Sequence, residues 1–161
     1  MSEIIAPDNT DLLAHILGEV QNKAYIDAVR NVQQQITDNA ELIDVPVEHH
    51  FAPGVYMRQM NAKAGTLVVS KMHRTEHMNI LLTGALTVAT EDGIAYLKAP
   101  VILKSMPGTK RIGYFHEDSS WITVHPTQST DLEEIEQQVI VPDDEIDQFL
   151  ATLPSKLKEI E

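Results

Sequence analysis

The stretch from Gly65 to Gly84, GTLVVSKMHRTEHMNILLTG, decides the predicted fold of this chain. Its two ends are runs of β-forming residues bounded by glycine, a pattern typical of strands. Between them, the polar segment KMHRTEH places two histidines where a core strand would carry apolar side chains. Because side chains alternate between the two faces of a strand, one face is predicted to carry Lys71, His73, Thr75, His77, Asn79 and Leu81.

Short strands continue on both sides of this stretch. Glycine and proline turn signals separate eight candidate strands, at residues 55–60, 66–71, 77–82, 86–90, 94–98, 101–105, 111–115 and 121–125. Many short strands at regular spacing indicate an antiparallel sandwich or barrel, and eight strands suit a jelly roll. We therefore predict a mainly β, single-domain jelly roll that spans residues 45–127.

Two flanking segments differ in composition from the predicted barrel. Apolar residues recur at helical spacing between residues 8 and 38, so a helix is predicted there, within an N-terminal segment 1–44. This helix either folds back on the barrel or binds a partner, such as a second copy of the chain. The segment 128–161 is an acidic tail with a short helix through Leu150, for which Asp143 and Asp144 are candidate N-caps. Its carboxylates are interpreted as a solvated face rather than a metal site.

The composition excludes several classes of function. The chain of 161 residues contains no cysteine, which removes disulfides, thiolate catalysis and Cys-based metal sites. A formal net charge of -12 argues against a nucleic-acid partner. From residue 131 to the end, ten acidic residues and two lysines carry −8 of this charge, so a locally basic pocket is allowed elsewhere. No apolar run is long enough to cross a bilayer and no signal-like N-terminus is visible, so we expect a cytoplasmic protein without a membrane partner.

The central stretch resembles the first motif of the cupin superfamily. That motif runs Gly, five residues, His, one residue, His, three or four residues, Glu, six residues, Gly. Without a gap, Gly65 and Gly84 match the glycines and His73 matches the second histidine. Lys71 stands at the first histidine position, and His77 stands where the glutamate is expected.

The second cupin motif is preserved less well. It runs Gly, five residues, Pro, one residue, Gly, two residues, His, three residues, Asn. Anchored on Gly108, its other four positions are Pro100, Met106, Arg111 and Phe115. The chain is also similar to small cupin-like proteins encoded by bacteriophages and prophages, which would place it in the host cytoplasm. The resemblance further implies a homodimer, as is frequent among small cupins.

The resemblance implies that these motif side chains point into the barrel, where cupins hold iron, manganese, nickel or zinc. His73 and His77 are then two ligands, since neutral imidazole is a common nitrogen ligand of such metals. His125, in the segment WITVH, is the preferred third ligand, and His116 is the second choice. Three histidines would leave coordination positions open for water or substrate.

The substituted motif positions suggest a second, metal-free site. Lys71 and Arg111 cannot coordinate a metal in their charged forms, but they can bind a carboxylate or phosphate, with hydroxyl contacts from Thr75 and Tyr114. Lys71, Arg111 and Tyr114 are also the candidate catalytic residues if the protein is an enzyme. Three functions follow as alternatives: a metal-dependent enzyme acting on a small polar or anionic substrate, a metal-free anion- or metabolite-binding or sequestering module, and a structural phage component.

Overall fold

The computed structural model describes residues 23–90 and 93–153. Helix α1 spans Lys23–Asn39, and two helices, α2 (Leu132–Val139) and α3 (Ile146–Ala151), follow the barrel, with a 3-10 turn at Asp143–Glu145 before α3. The strands are β1 (Val47–Ala52), β2 (Val55–Ala62), β3 (Leu67–Val69), β4 (Met72–His73), β5 (His77–Thr83), β6 (Ala85–Thr90), β7 (Gly93–Lys98), β8 (Val101–Ser105), β9 (Ile112–Phe115), β10 (Ser119–Pro126) and β11 (Ile140–Val141).

Two antiparallel sheets face each other and form the barrel. One has the strand order β1-β2-β10-β5-β8 and the other the order β3-β9-β6-β7. Side chains from both sheets meet in one apolar cluster, which includes Leu81 from the first sheet and Leu86 and Phe115 from the second. Burying such alternating apolar side chains between two sheets is the main stabilising contribution in a fold of this kind. The predicted mainly β, cupin-like jelly roll is confirmed.

Each of the eight predicted strands overlaps a strand of the structure, and three further strands were not predicted. One of these, β1, forms a hairpin with β2 through the turn at Pro53-Gly54, where Gly54 has a φ of 82°. The other two, β4 and β11, pair with each other and join the middle of the central stretch to the segment after the barrel. Two-residue strands of this kind carry no periodic signal of their own.

The central stretch is not one continuous strand. After β3 the chain forms only the two residues of β4, bends at residues 74–75, and resumes as β5 at His77. The bend interrupts the alternation on which the prediction of one shared face from Lys71 to Leu81 depends. Thr75 leaves that face, whereas Lys71, His73 and Asn79 still line a common cavity. The Lys71 side chain is exposed and forms an ion pair with Glu136 of α2.

Helix α1 packs against its own barrel, as one of the two alternatives for it predicted. Tyr25, Ile26 and Val29 are buried in a cluster with residues of β4, β6 and β9. The Tyr25 hydroxyl is within hydrogen-bond distance of two backbone oxygens, of Ala89 at 3.0 Å and of Lys110 at 2.9 Å. The predicted helical residues 8–22 lie outside the described part of the chain.

The segment after β10 is packed on the barrel up to the last residue that the structure describes. Asp131 caps α2, since its Oδ1 accepts a hydrogen bond from the Glu133 backbone N–H at 3.0 Å. Helix α2 buries Ile135 and Val139. The prediction that Asp143 and Asp144 cap the last helix is wrong: they lie in the 3-10 turn, and Glu145 occupies the N-cap of α3 without a side-chain capping bond.

No helix in residues 23–90 or 93–153 is long and apolar enough to span a membrane.

The Tyr25 hydroxyl is expected to contribute to the free energy of unfolding. Tyr25→Phe keeps the ring but removes the hydroxyl that can donate to the Ala89 or the Lys110 carbonyl, so the free energy of unfolding should fall by about 1–3 kcal/mol in urea denaturation. Tyr96→Phe is the matched control, because Tyr96 is 61% exposed and its change should stay within about 0.5 kcal/mol. Equal stability of the two variants would show that the hydroxyl does not hold α1 on the barrel.

Candidate functional site

A cavity of about 420 Å³ lies between the two sheets. Strands β2 and β10 supply one wall, β3 and β9 supply the opposite wall, and residues of α2 line it as well. This volume falls within the usual range of small-molecule pockets. The positions of the predicted site residues are therefore described relative to this cavity.

Three histidines are clustered at this cavity. His73 lies on β4, His77 begins β5 and His125 lies near the end of β10. The ring centroids of His73 and His77 are 4.3 Å apart, those of His77 and His125 4.8 Å, and those of His73 and His125 5.6 Å. His73 and His125 line the cavity, and His77 packs against both rings. The structure thus brings together the three residues that the sequence selects as metal ligands.

Local pairing explains how these side chains meet. The pairing of β4 with β11 sets Ile140 opposite His73. The pairing of β10 with β5 sets Val124 opposite Met78, one residue from His125 and His77, respectively. Two histidines close in sequence are therefore joined by a third from a strand far along the chain.

Two ring nitrogens of the cluster are buried without a partner. His77 Nδ1 lies 3.0 Å from the Thr75 carbonyl oxygen, which only accepts, so Nδ1 carries the proton and Nε2 keeps its lone pair. Nε2 of His77 and Nδ1 of His125 are both buried, and neither has a hydrogen-bond partner. Unpaired buried polar atoms are costly in a native structure, and a bound group would satisfy them.

The three histidines are held in the neutral form. Burial lowers the pKa of His73 to about 3, and the nearby titratable rings of His77 and His125 and the guanidinium charges of Arg111 and Arg58 add to this effect. Burial, with smaller contributions from His77 and Arg58, lowers the pKa of His125 to about 4. The pKa of His77 is also lowered by burial, against the opposing effect of its bond to Thr75. At neutral pH all three rings can therefore offer a lone pair.

Cationic side chains outnumber carboxylates around the cavity. Its lining includes Arg58, Lys71 and Arg111, but Glu136 is the one acidic residue in the lining that the structure describes. Glu136 is already paired with Lys71. Arg111 Nη1 donates to the buried Ser105 Oγ at 2.7 Å, which fixes the guanidinium at the cavity wall.

Arg58 was not selected from the sequence, although a signal for it exists. In the β2 segment VYMRQM, alternation places Arg58 on the same face as Tyr56 and Met60, and these three residues line the cavity. A charged residue between two large side chains on the inner face of a strand is the pattern that identifies it.

The structure places two other candidates away from the cavity. Arg111, Gly113 and Phe115 line it, so alternation along β9 directs Tyr114 to the opposite face, where its ring contacts His116 edge-on at 5.1 Å. The hydroxyl contact and catalytic role predicted for Tyr114 are therefore wrong. Thr75 lies in the bend and is not part of the lining; its carbonyl oxygen lies 3.0 Å from His77 Nδ1, and its Oγ1 is buried without a hydrogen-bond partner.

The remaining histidines occupy separate positions. His116 Nε2 is 2.7 Å from Thr87 Oγ1 on the sheet opposite His125, and it is not part of the cavity lining. His49 lines the cavity through the hairpin, with Nδ1 2.7 Å from Tyr56 Oη, while His50 is exposed. Among the described residues, no group of three or more His, Asp or Glu side chains is arranged so that it could hold a metal ion.

The chain was compared with known proteins. No family model matches the sequence, and no curated protein matches it. Solved structures do resemble it: an acetylacetone dioxygenase from Acinetobacter johnsonii (16% identity, TM-score 0.43, 50% of this chain and 58% of that chain) and a salicylate 1,2-dioxygenase variant from Pseudoaminobacter salicylatoxidans (10%, 0.49, 71% and 36%). A cupin superfamily protein from Desulfitobacterium hafniense shares 11% identity, with a TM-score of 0.45 over 55% of this chain and 82% of that chain.

These similarities concern the fold. The matched region spans little more than half of the acetylacetone dioxygenase chain and about a third of the salicylate dioxygenase chain. Identities of 10–16% do not transfer an activity, since one fold hosts unrelated chemistries.

The depressed histidine pKa values predict how stability depends on pH. Between about pH 6.5 and 4 the unfolded chain protonates His73 and His125 while the folded protein keeps them neutral. The unfolded state then binds more protons, so the free energy of unfolding of chelator-treated protein should fall on acidification from pH 7 to 5.5, by at most about 1.4 kcal/mol per pH unit for each histidine.

Urea denaturation at several pH values measures this slope. A variant carrying His73→Gln and His125→Gln should show a smaller pH dependence than the parent, because other titrating groups are common to both proteins. Parallel slopes for the two proteins would contradict the assignment of these rings as neutral.

Proposed function

We propose that this protein binds a divalent transition metal (iron, manganese, nickel or zinc) at His73, His77 and His125, and acts with it on a small anionic molecule in the adjoining cavity. The observation that carries the proposal is the cluster of three neutral imidazoles with two buried, unpartnered ring nitrogens. The chemistry of the donor set fits, because these metals accept imidazole nitrogen.

The spacing of the three rings is close to that of coordinating imidazoles, although their present orientation does not form a site that could hold a metal. With metal–nitrogen bonds of about 2.1 Å, the centroids of three coordinating imidazoles lie roughly 5 Å apart. The observed separations of 4.3–5.6 Å bracket this value. The rings as they stand are stacked or tilted against one another, so the proposal requires them to turn toward a shared ion.

The residues around the cluster have separate roles in this proposal. The Arg58 and Arg111 guanidiniums attract and orient the anionic group of the substrate, and Ser105 holds Arg111 in position. Thr75 fixes the tautomer of His77 through its carbonyl, as is usual for a metal-binding histidine. The bound metal would supply a Lewis acid, or oxygen activation if it is iron, and three histidine ligands leave positions for the substrate. Lys71, exposed and paired with Glu136, is suited to contacts at the rim.

Metal uptake tests the proposal directly. Protein purified without a metal-binding tag or chelator should contain close to one equivalent of metal by elemental analysis, and the double variant His73→Ala, His77→Ala should lose at least about nine-tenths of it while remaining folded by circular dichroism. His50→Ala is the matched control, because His50 is exposed and bonded to Gln59. Equal metal content in the double variant and the parent would remove this site.

A second function is favoured by the excess of positive charge. If no metal binds, Arg58, Lys71 and Arg111 around neutral imidazoles still form a cationic cavity in an acidic protein, suited to binding or sequestering an anionic metabolite. This metal-free module does not depend on the unpartnered nitrogens of the cluster.

Anion binding has its own test. Phosphate and small carboxylates should raise the thermal unfolding temperature of the parent, because a ligand that binds only the native state stabilises it. Arg111→Ala should reduce this rise by at least half, whereas Arg30→Ala should not, since Arg30 lies on α1 beside Asp27 and Asp147. Equal ligand-induced shifts in all three proteins would refute a role for Arg111.

A further inference from the structure

The cavity wall formed by β10 changes in polarity along its length. His125 pairs with Tyr56 of β2, Thr123 lies between Arg58 and Asn79, and Trp121 lies between Met60 and Leu81. Each set of cross-strand neighbours forms one level of the wall. The level of His125 carries an imidazole, the level of Thr123 carries polar and charged side chains, and the level of Trp121 is apolar. Trp121, Thr123 and His125 all line the cavity.

The opposite wall has the same gradient. At its polar end, the Arg111 backbone N–H donates to Ser70 Oγ at 2.8 Å. The next level pairs Val68 and Val88 with Gly113, and the last pairs Leu86 with Phe115. The apolar ends of the two walls meet, since Leu86, Val88 and Phe115 share one cluster with Met60, Val68 and Trp121.

Thr123 lies at the boundary between the polar zone of the cavity, around His125 and Arg111, and its apolar zone, around Trp121 and Phe115. It is 7% exposed and lines the cavity, and its Oγ1 is buried without a hydrogen-bond partner. Its cross-strand neighbours are Arg58, a donor, and Asn79, whose amide donates to Ser105 Oγ at 2.6 Å. An unpartnered hydroxyl beside a guanidinium is suited to an oxygen of a ligand.

Gly113 lets the Leu86 side chain approach its backbone closely in the apolar part of the cavity wall. It is buried in the cavity wall without a side chain, and a Cβ added there would meet Leu86 Cδ1 at 3.2 Å. Any larger side chain at this position has to displace Leu86 or enter the cavity.

We infer that the ligand of this cavity is amphiphilic: a small molecule with an oxyanion head group, carboxylate or phosphate, and an apolar body. The head group contacts Arg58, Arg111 and Thr123, and the apolar body lies against Trp121 and Phe115 at the Gly113 level. The inference rests on the proposed function in placing the substrate in this cavity, and it adds the chemical class of that substrate.

Trp121 provides a site-specific measurement, because it is the only tryptophan in the chain. The parent protein is titrated with straight-chain carboxylates from acetate to octanoate, and its tryptophan emission is followed with and without chelator. Affinity should rise about fourfold for each added methylene until the apolar zone is filled. Alkyl phosphates of equal chain length form a second arm that distinguishes the head groups, and the corresponding primary alcohols should bind at least tenfold more weakly than the preferred acid.

Variants separate the two zones. Thr123→Val and Arg58→Gln should weaken binding of hexanoate or its phosphate counterpart at least fivefold and leave hexanol unchanged. Gly113→Val should abolish the rise in affinity with alkyl chain length. Gly113→Ala adds a smaller side chain and should reduce that rise; it provides the test if the valine variant does not fold. Thr87→Val and Lys98→Gln are matched controls outside the cavity lining and should bind as the parent does.

Two results would overturn the inference: acetate, malonate or inorganic phosphate binding as tightly as octanoate, or affinity independent of chain length. The failure of this inference is distinguishable from that of the metal site. Chain-length dependence retained in the variant His73→Ala, His77→Ala supports the amphiphilic cavity whether or not the parent takes up metal. Stoichiometric metal in the parent without chain-length dependence contradicts the amphiphilic ligand and leaves the metal proposal standing.

Discussion

The structure depends on the central position of β10 between β2 and β5. Because β10 is hydrogen-bonded on both sides, a shift of its register by one residue would turn Trp121, Thr123 and His125 out of the cavity. The same pairing sets Arg58 and Asn79 on either side of Thr123. One constraint on backbone pairing therefore fixes the histidine cluster, the charged level and the apolar level of the cavity together.

The histidine cluster also depends on elements outside the two sheets. His73 lies on a two-residue strand that pairs with β11. Strand β11 directly follows α2, whose Ile135 and Val139 are buried. Helix α1 covers the other side of β4, since Met72 is buried in the same cluster as Tyr25 and Val29. A segment that is acidic and largely polar in sequence thus completes the site by backbone pairing.

Much of the fold could be predicted from the sequence because its signals are local. Alternation and turn residues locate eight strands, and helical spacing locates α1. The strands β4 and β11 could not be found in this way, since each exists only through its pairing with a distant partner. The histidines were selected by residue type, but Arg58 was missed, although alternation along β2 places it on the inner face with Tyr56 and Met60. Tyr114 could have been excluded by alternation, which directs its side chain to the face of the strand opposite that of Arg111.

The most direct test of a metal held by His73, His77 and His125 is an anomalous difference map, from crystals of the protein grown with the metal that it retains through purification. Data collected on both sides of the absorption edge of that metal locate it independently of any assumed ligand. One strong peak is expected among the three rings, within bonding distance of a nitrogen of each. A map whose peaks lie only on surface carboxylates, with no peak between the histidines, would contradict the proposed metal site.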